Sequence, residues 1–148
     1  MAYTHVAHDC VIGDHVIMAN QTNLAGHVQV GDYAVLGGNV LVHQFCKIGQ
    51  HTMLGISSVI VKDVPAFLTC MGTPTVPKGM NFEGLKRRGF AKDDLRLLKR
   101  AYRIVYREGM TLNEAIEELT YDSHSNRYVD DFVDNFPGTL RNASKSAF

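Results

Sequence analysis

The sequence has no tryptophan, only three cysteines and no apolar run approaching 18 residues. The last absence excludes a membrane-spanning helix, and no signal-peptide pattern is recognisable at the N-terminus. We therefore expect a soluble, cytoplasmic protein without membrane insertion. Positive and negative side chains balance at a net charge of zero, which gives no indication of nucleic-acid binding.

The dominant feature of the chain is a set of nine consecutive hexapeptides in one register, from Val6 to Val59. The first position of each is aliphatic, the second is Ala or Gly except at His43, and the fifth is small or β-branched. A period of six fits neither an amphipathic helix nor a simple strand. It is typical of a parallel β-helix, whose short flat sides end in tight corners that need small residues.

Three hexapeptides form one triangular coil, so the nine repeats predict three coils. Residues 18 apart in sequence then stack in columns, at a strand spacing of ~4.8 Å. Cys10 and Cys46 occupy the same hexapeptide position two coils apart. Their separation of roughly 9–10 Å exceeds disulfide reach, so we expect reduced thiols in a reducing compartment.

The second half of the chain has a different composition. Residues 1–80 carry seven charged side chains, whereas residues 81–148 carry 23. The hexapeptides stop after Val59, and three of the four prolines fall between Ile60 and Gly79, which predicts an exit strand and a connecting loop. We predict a mainly β fold with two domains: a parallel β-helix at residues 1–79 and a small α-helical domain at residues 80–148.

The C-terminal part shows helical periodicity. Residues Asp93–Glu108 place apolar side chains on one face. A capping box formed by Thr111 and Glu114 opens a second helix, and a third is predicted from about Arg127 to Phe136. The side chains expected to point inward are Leu95, Leu98, Tyr102, Val105, Leu112, Ala115, Ile116, Leu119, Val129, Phe132, Val133 and Phe136.

The first residues of the chain fall inside a repeat. Thr4 already occupies the small fifth position, and the matching aliphatic position falls before Met1. Because the end of a solenoid normally carries a polar cap, we expect the chain to be truncated. An uncapped parallel edge also favours pairing with another chain.

Six of the seven histidines lie within the first 51 residues. Three neighbouring columns share one predicted corner; they contain Ala7, Ala25 and His43, then His8, Gly26 and Gln44, then Asp9, His27 and Phe45. A neutral imidazole suits a general base near pH 7, and a neighbouring carboxylate orients it. A glycine lets a substrate approach its N–H, the usual donor to an oxyanion. A three-histidine zinc site is the alternative chemistry at this corner.

A second histidine pair, His15 and His51, is predicted to stack on another face with Tyr33 between the two rings. The scaffold does not require histidine there, and no convergent set of polar groups accompanies the pair. We interpret these two histidines as outward-facing residues on a solvated wall of the β-helix.

Four segments carry a resemblance to a known family: AYTHVAHDCVIG, LAGHVQVGD, VHQFCKIG and, most specifically, MNFEGLKRRGF. They resemble the bacterial UDP-N-acetylglucosamine O-acyltransferases that start lipid A synthesis. The similarity runs from Met1 to about Leu119 and corresponds to the C-terminal half or more of that family. Because the missing N-terminal coils complete the substrate site in the family, we expect this chain alone to be weakly active or inactive.

The resemblance implies a homotrimer of left-handed parallel β-helices with an α-helical C-terminal domain and active sites between subunits. It implies transfer of an (R)-3-hydroxyacyl chain from acyl carrier protein to the 3-hydroxyl of UDP-N-acetylglucosamine. The donor carries the acyl chain on phosphopantetheine, and neither a further cofactor nor a metal is expected. His8 matches the general base, Asp9 its supporting carboxylate and the Gly26 N–H the oxyanion donor. The expected setting is the cytoplasm of a Gram-negative-type bacterium.

Further positions match substrate-contacting residues of the family. They are His5, His27, His43 and Gln44 for the sugar, phosphate and acyl groups, and Asn81, Glu83 and Arg87 for the nucleotide side. For the last three, a helix-start cap and a solvated ion pair are the alternative. Ile56 stands where long-chain members of the family have glycine, so we predict an acyl chain of roughly ten carbons rather than fourteen; ordinary packing between hexapeptides is the alternative.

Basic residues recur at helical spacing opposite the predicted apolar face, and they suit docking of an acidic carrier protein. They are Arg96, Lys99, Arg100, Arg103 and Arg107, joined by Lys86 and Arg88. A solvated helix face is the alternative. Three other functions stay open: the related UDP-acylglucosamine N-acyltransferase, a hexapeptide zinc enzyme of the carbonic anhydrase type, and a non-catalytic trimeric module.

Overall fold

The computed structural model describes residues 1–122 and 126–134. Within them, short parallel strands wind into a left-handed β-helix of about four coils, and helices follow. The strands are β1 (His5–Val6), β2 (Val11–Ile12), β3 (Ile17–Met18), β4 (Asn23–Leu24), β5 (Gln29–Val30), β6 (Val35–Leu36), β7 (Leu41–Val42), β8 (Lys47–Ile48), β9 (Met53–Leu54), β10 (Val59–Ile60), β11 (Leu68–Met71) and β12 (Val76–Met80). The helices are α1 (Phe82–Arg87), α2 (Lys92–Tyr106), α3 (Leu112–Asp122) and α4 (Arg127–Asp134).

The predicted fold class and the 18-residue coil are confirmed by the strand register. His5 pairs with Asn23, and Asn23 pairs in turn with Leu41, so each step advances the chain by one coil. Three sheets result, with strand orders β1-β4-β7-β10, β2-β5-β8 and β12-β11-β9-β6-β3. They form the three flat sides of a triangular prism.

The first hexapeptide position fills the interior of the prism. From the second coil onward its side chains are at most 4% exposed: Leu24, Val30, Leu36, Val42, Ile48 and Leu54. In the first coil, Val6 and Ile12 are 47% and 38% exposed, because none of the described coils covers them. Buried hydroxyls at the fifth position bond locally, as Thr22 Oγ1 does to the Ala19 carbonyl at 2.9 Å. The interior of the prism is therefore apolar, and the buried hydroxyls of Thr22, Thr52 and Ser58 are hydrogen-bonded to backbone carbonyls.

The corners differ from the sequence expectation in one respect. Each turn is made by the fourth hexapeptide position, which lies in the left-handed region at φ 54–64° and is never glycine, and Phe67 takes the equivalent position in the next coil at φ 68°. Every such residue from the second coil onward donates its N–H to a carbonyl one coil earlier, as His27 does to His8 at 3.0 Å and Phe45 to Gly26 at 3.1 Å. A ladder of backbone hydrogen bonds thus holds large side chains in a conformation that L-residues normally avoid.

Small residues at the second position serve another purpose. A Cβ on Gly31 would lie 2.6 Å from the Gln50 nitrogen, and one on Gly37 would lie 2.8 Å from the Leu54 carbonyl oxygen. Adjacent coils approach too closely there for a larger side chain. The small residues at the second position are needed for this coil-to-coil contact. They also begin the corner turns, since the Ala19 carbonyl accepts from the Thr22 N–H at 3.3 Å and the Gly31 carbonyl from the Ala34 N–H at 3.4 Å.

Residues 60–79 form a fourth coil and a hairpin, which the predicted exit strand and loop did not anticipate. β11 runs parallel to β9 with an offset of 16 residues, and β12 returns antiparallel beside β11. Ile60 still pairs with Val42 at an offset of 18, whereas Val64 bridges Ile48 at an offset of 16. The two-residue shortening between them ends the hexapeptide pattern while the coil continues.

The three predicted helices are confirmed as α2, α3 and α4, and α1 is an additional short helix. The capping box is present: the Thr111 N–H donates to Glu114 Oε2 at 2.7 Å, and the Glu114 N–H donates to Thr111 Oγ1 at 3.3 Å. The predicted inward side chains are buried or half-buried, except that Phe136 lies outside the described residues. α2 packs against β12, and α3 and α4 pack against α2 and against each other.

The boundary between residues 79 and 80 stays a prediction. β12 runs across it to Met80, and one cluster of buried side chains joins the β-helix to the helices. None of the described helices has the length and apolar composition needed to cross a membrane.

Candidate active site

The prism has three corners, which we name by their left-handed residues. Corner A contains Tyr3, Gln21, Asn39 and Ser57; corner B contains Asp9, His27 and Phe45; corner C contains His15, Tyr33, His51 and Phe67. The residues predicted for the site are distributed over all three corners. Only part of the predicted set therefore comes together within one chain.

Corner B holds the predicted base. His8 Nδ1 lies 2.9 Å from Asp9 Oδ2, and the two side chains are 72% and 66% exposed. An ionised carboxylate can only accept a hydrogen bond. His8 Nδ1 therefore carries the proton, and this N–H donates a hydrogen bond to Asp9. The lone pair then lies on Nε2, where it can accept a proton from a substrate.

Asp9 is held in its ionised form. Its hydrogen bond with His8, and secondly the nearby His27, hold the pKa of the carboxyl below its usual range. His27 Nε2 lies 3.8 Å from the same carboxylate oxygen, and its ring stacks on Phe45 with centroids 4.7 Å apart. One carboxylate thus faces two imidazoles from adjacent coils, and it stabilises either ring when protonated.

Gly26 lies directly beneath the His8 ring. A Cβ built on Gly26 would lie 2.7 Å from His8 Cε1 and Nε2, so the ring occupies the space that a side chain would take. The described residues supply no hydrogen-bond acceptor for the Gly26 N–H. A backbone donor without a partner beside an imidazole lone pair is suited to stabilising an oxyanion.

A shallow apolar cavity of about 390 Å³ adjoins corner B on the side formed by β1, β4, β7 and β10. His5 and His43 lie among its lining residues. His43 Nδ1 donates to the Gln44 carbonyl at 3.1 Å, which leaves Nε2 as the acceptor of the neutral ring. Gln44 is exposed and two coils away from His8 in the same column. The cavity's apolar lining suits a hydrocarbon chain more than a charged group.

Asn81, Glu83 and Arg87 lie at corner C. The Asn81 amide nitrogen donates to the His51 carbonyl at 2.9 Å, and its amide oxygen accepts from the Gly84 N–H at 3.2 Å as the N-cap of α1. Glu83 and Lys86 form an exposed ion pair at 3.6 Å. The helix cap considered as an alternative is therefore present, and Glu83 forms an ion pair with Lys86, which leaves Arg87 unexplained by that alternative. The nucleotide role of these residues stays a prediction.

Ile56 lies next to corner A and is 76% exposed. A Cβ on Gly38, one coil below, would lie 3.9 Å from Ile56 Cγ1. The side chain thus projects from the prism, which disfavours ordinary packing within this chain as its purpose. Its role in acyl length stays a prediction.

Corner C contradicts the interpretation of His51 as a solvated residue. His51 is 7% exposed and is stacked between Tyr33 at 4.9 Å and Phe67 at 5.8 Å, with Phe90 against its edge at 5.0 Å. Burial, and secondly the nearby Arg88 charge, lowers its pKa to about 4. The hexapeptide columns predicted the stack, but they carry no information about the helical segment that covers it.

The basic side chains of α2 share one face, as predicted. Arg96, Lys99, Arg100, Arg103 and Arg107 line a surface cavity of about 500 Å³ together with Tyr102. Arg88 was wrongly assigned to this surface. Its guanidinium turns inward, donates to the Tyr33 carbonyl at 3.2 Å and lies 5.2 Å from the centroid of the Tyr33 ring. This contact holds the C-terminal end of α1 against the β-helix.

One group of side chains in the described part of the chain could hold a metal ion. It consists of His8, Asp9 and His27, with one ligand atom from each within 4.8 Å of the others. His43 is not part of this group, so the three-histidine site considered as an alternative does not form. All three cysteines are free, as the repeat register predicts.

Comparison with known proteins identifies the family. Residues 63–143 match the family described as UDP N-acetylglucosamine O-acyltransferase, domain 2. The acyl-[acyl-carrier-protein]–UDP-N-acetylglucosamine O-acyltransferase of Thiobacillus denitrificans is 55% identical over 134 residues, which are 90% of this chain and 52% of that protein. The protein of the same name from Pseudomonas fluorescens is 48% identical over 145 residues, 98% of this chain and 56% of that protein.

Solved structures agree. The crystal structure of the UDP-N-acetylglucosamine acyltransferase of Francisella novicida matches with a TM-score of 0.87 and 40% sequence identity, covering 90% of this chain and 49% of that one. The chain thus spans about half the length of the relatives it matches. The resemblance read from the sequence is confirmed: the chain belongs to the UDP-N-acetylglucosamine O-acyltransferase family.

Proposed function

We propose that this chain catalyses the reaction for which its relatives are named, acyl transfer from acyl carrier protein to UDP-N-acetylglucosamine. The acyl group is an (R)-3-hydroxyacyl chain, its acceptor is the sugar 3-hydroxyl, and the reaction opens lipid A synthesis. One observation carries the proposal: the His8–Asp9 pair lies directly against Gly26, whose N–H is unused. The names of the relatives favour this reaction over N-acyl transfer.

In the proposed mechanism, His8 Nε2 removes the proton of the sugar 3-hydroxyl while the oxygen attacks the thioester carbonyl carbon. The Gly26 N–H donates to the oxyanion that forms, and Asp9 stabilises the imidazolium. Collapse of the tetrahedral intermediate breaks the carbon–sulfur bond. The departing phosphopantetheine sulfur takes the proton back from His8, so ester and free thiol form and the base is restored.

The proposed assembly is a homotrimer. Within one chain the residues expected to contact substrate lie at three separate corners: His8 at B, Asn81 at C and Ile56 beside A. Residues on different corners of one prism face different directions. They can form one site only if corners of neighbouring copies meet, so the distribution supports a site shared between subunits.

The proposed docking surface for the acidic carrier protein is the basic face of α2. Five cationic side chains there surround one cavity, which suits an acidic helix or phosphate group. Arg103 also pairs with Glu108 at 3.2 Å, so the surface is not wholly uncompensated. If charge reversal at Arg103 left the KM for the carrier protein unchanged, this surface would be excluded. The cytoplasm is the proposed setting, in keeping with three unpaired cysteines.

The test is acyl transfer from 3-hydroxyacyl carrier protein to UDP-N-acetylglucosamine, with the mass of the same sample measured by light scattering. We expect weak transfer by a trimer, and a loss of about 10²–10⁴-fold in His8→Ala. His15→Ala, which removes an exposed histidine at corner C, is the matched control and should keep the wild-type rate. Transfer that survives in His8→Ala would contradict the proposed mechanism. A folded trimer without transfer would contradict catalysis by this chain alone and leave its family membership unchanged.

A further inference from the structure

Corner B brings together three side chains of types that bind transition metals. His8 Nδ1 and His27 Nε2 lie 2.9 Å and 3.8 Å from the same oxygen of Asp9. The ligand atoms of the three residues all lie within 4.8 Å of one another. None of the proposed catalytic steps uses His27 as a base or acid, and the role expected for it is contact with substrate.

The spacing of these atoms is close to that of the ligands in a zinc site. Nitrogen and oxygen ligands lie about 2.0–2.2 Å from Zn²⁺, so two ligands of a tetrahedral site are roughly 3.3–3.5 Å apart. The two measured edges at Asp9 lie on either side of that value. Small side-chain rotations would equalise them, because all three side chains are exposed and free to adjust.

The backbone at this corner is fixed before any ion binds. The His27 N–H donates to the His8 carbonyl at 3.0 Å, which joins the two ligand-bearing coils directly. The His27 ring is further supported by Phe45, which stacks on it at 4.7 Å, and it meets the His8 ring edge to face at 5.1 Å. The backbone that carries the ligands therefore loses little conformational freedom when a metal binds, and only the side chains must adjust.

We propose that corner B is a reversible inhibitory site for Zn²⁺, held by His8, Asp9 and His27 with water in the fourth position. The inhibitory part rests on the proposed function, because a bound ion takes Asp9 and a His8 nitrogen away from proton transfer. Two imidazoles and one carboxylate with an open position form a common zinc ligand set. The ion is an inhibitor here and takes no part in the acyl-transfer chemistry.

The binding test uses the full chain, freed of metal with a chelator and titrated with Zn²⁺ by calorimetry. Co²⁺ is a second probe, because its visible absorption reports tetrahedral coordination. We expect one ion per chain, and an affinity at least about tenfold weaker in His27→Asn. Asparagine is chosen because it tolerates the left-handed backbone at φ 60°. His15→Asn, at φ 57° on corner C, is the matched control and should bind as the wild type does.

Failure to bind zinc, equal affinity in His27→Asn, or equal weakening in both variants would overturn the metal site. The inhibitory role is tested separately by turnover: Zn²⁺ should suppress acyl transfer, and chelator should restore it. Binding without inhibition would overturn the inhibitory role. If the chain shows no acyl transfer at all, the proposed function fails, while calorimetry still decides whether corner B binds the ion.

Discussion

Corners B and C are built from the same parts, yet they differ in what covers them. Both carry aromatic or imidazole rings at the fourth hexapeptide position, stacked at the coil spacing. Corner B remains open, with His27 44% exposed at its side chain, whereas the helical segment closes corner C over His51. Similar local geometry is therefore left open to solvent at corner B and buried as a structural joint at corner C. The role of a column of corner residues therefore depends on whether another part of the chain covers it.

The largest expected difference between the corners is in the stability lost when a stacked phenylalanine is removed. Phe45 and Phe67 both occupy left-handed positions, and each stacks on a histidine. Phe67 is fully buried whereas Phe45 is 63% exposed. We expect Phe67→Ala to lower the free energy of unfolding by about 3–5 kcal/mol and Phe45→Ala by less than about 1 kcal/mol. Urea denaturation would measure both; similar losses would contradict the difference between the corners.

A second expected difference is the pH dependence of the free energy of unfolding, which we attribute to buried His51 at corner C. Because burial lowers the pKa of His51 to about 4, the unfolded chain binds its proton at higher pH than the folded chain does. The stabilisation is complete above pH ~6.5, the ordinary histidine pKa, and is lost as pH falls towards 4. The lost free energy is up to about 3 kcal/mol.

Urea unfolding at several pH values would measure this loss. His51→Asn removes the titrating group and should flatten the dependence between pH 4 and 6.5. His15→Asn, in the same column but exposed, should leave the wild-type slope unchanged. An unaltered slope in His51→Asn would show that another group is responsible.

A pair of glycines tests corner B itself. A Cβ on Gly26 would lie 2.7 Å from the His8 ring, whereas on Gly38 the nearest atom, the Asn20 carbonyl oxygen, is 3.6 Å away. We expect Gly26→Ala to displace His8 and lower kcat by about 10²-fold, with little change in unfolding free energy. Gly38→Ala should keep its kcat. Equal rates in the two variants would mean that the position of His8 does not limit the reaction.

The smallest predicted effect extends the comparison to corner A. Ile56 is 76% exposed and lies at a different corner from the other residues expected to contact substrate in its own chain. If it limits the acyl chain at a subunit interface, Ile56→Gly should shift the kcat/KM ratio towards fourteen-carbon over ten-carbon donors by about tenfold. Ile56→Leu keeps the side-chain volume and should keep the preference. An unchanged ratio in Ile56→Gly would end the proposed role.

The sequence predicts much of the prism because a single number, the 18-residue coil, converts positions into columns. The proximity of His8, Asp9, Gly26 and His27 follows from that arithmetic, and so does the stack of His15, Tyr33 and His51. The left-handed handedness came from the family resemblance, since a hexapeptide pattern does not by itself state a hand.

The sequence predictions are wrong where contacts involve residues outside the hexapeptide repeats. The fourth coil was missed because its two-residue shortening breaks the hexapeptide register while its strand pairing continues. Burial of His51 and the inward turn of Arg88 depend on long-range contacts that no local pattern encodes. The proposed site between subunits cannot be derived from one chain, because Asn81, Ile56 and His8 lie at three different corners of the prism.

The hydrogen-bond ladder at the corners has a consequence for how such proteins diversify. Because the backbone N–H of each corner residue from the second coil onward is held by the preceding coil, a side chain at an exposed corner need not pack, and Asp, His, Gln, Tyr, Asn, Phe and Ser all occur at the corners. The exposed corners thus present rows of side chains about 4.8 Å apart. Gln21, Asn39 and Ser57 at corner A form one such row, in which substitutions could introduce new binding groups one coil at a time.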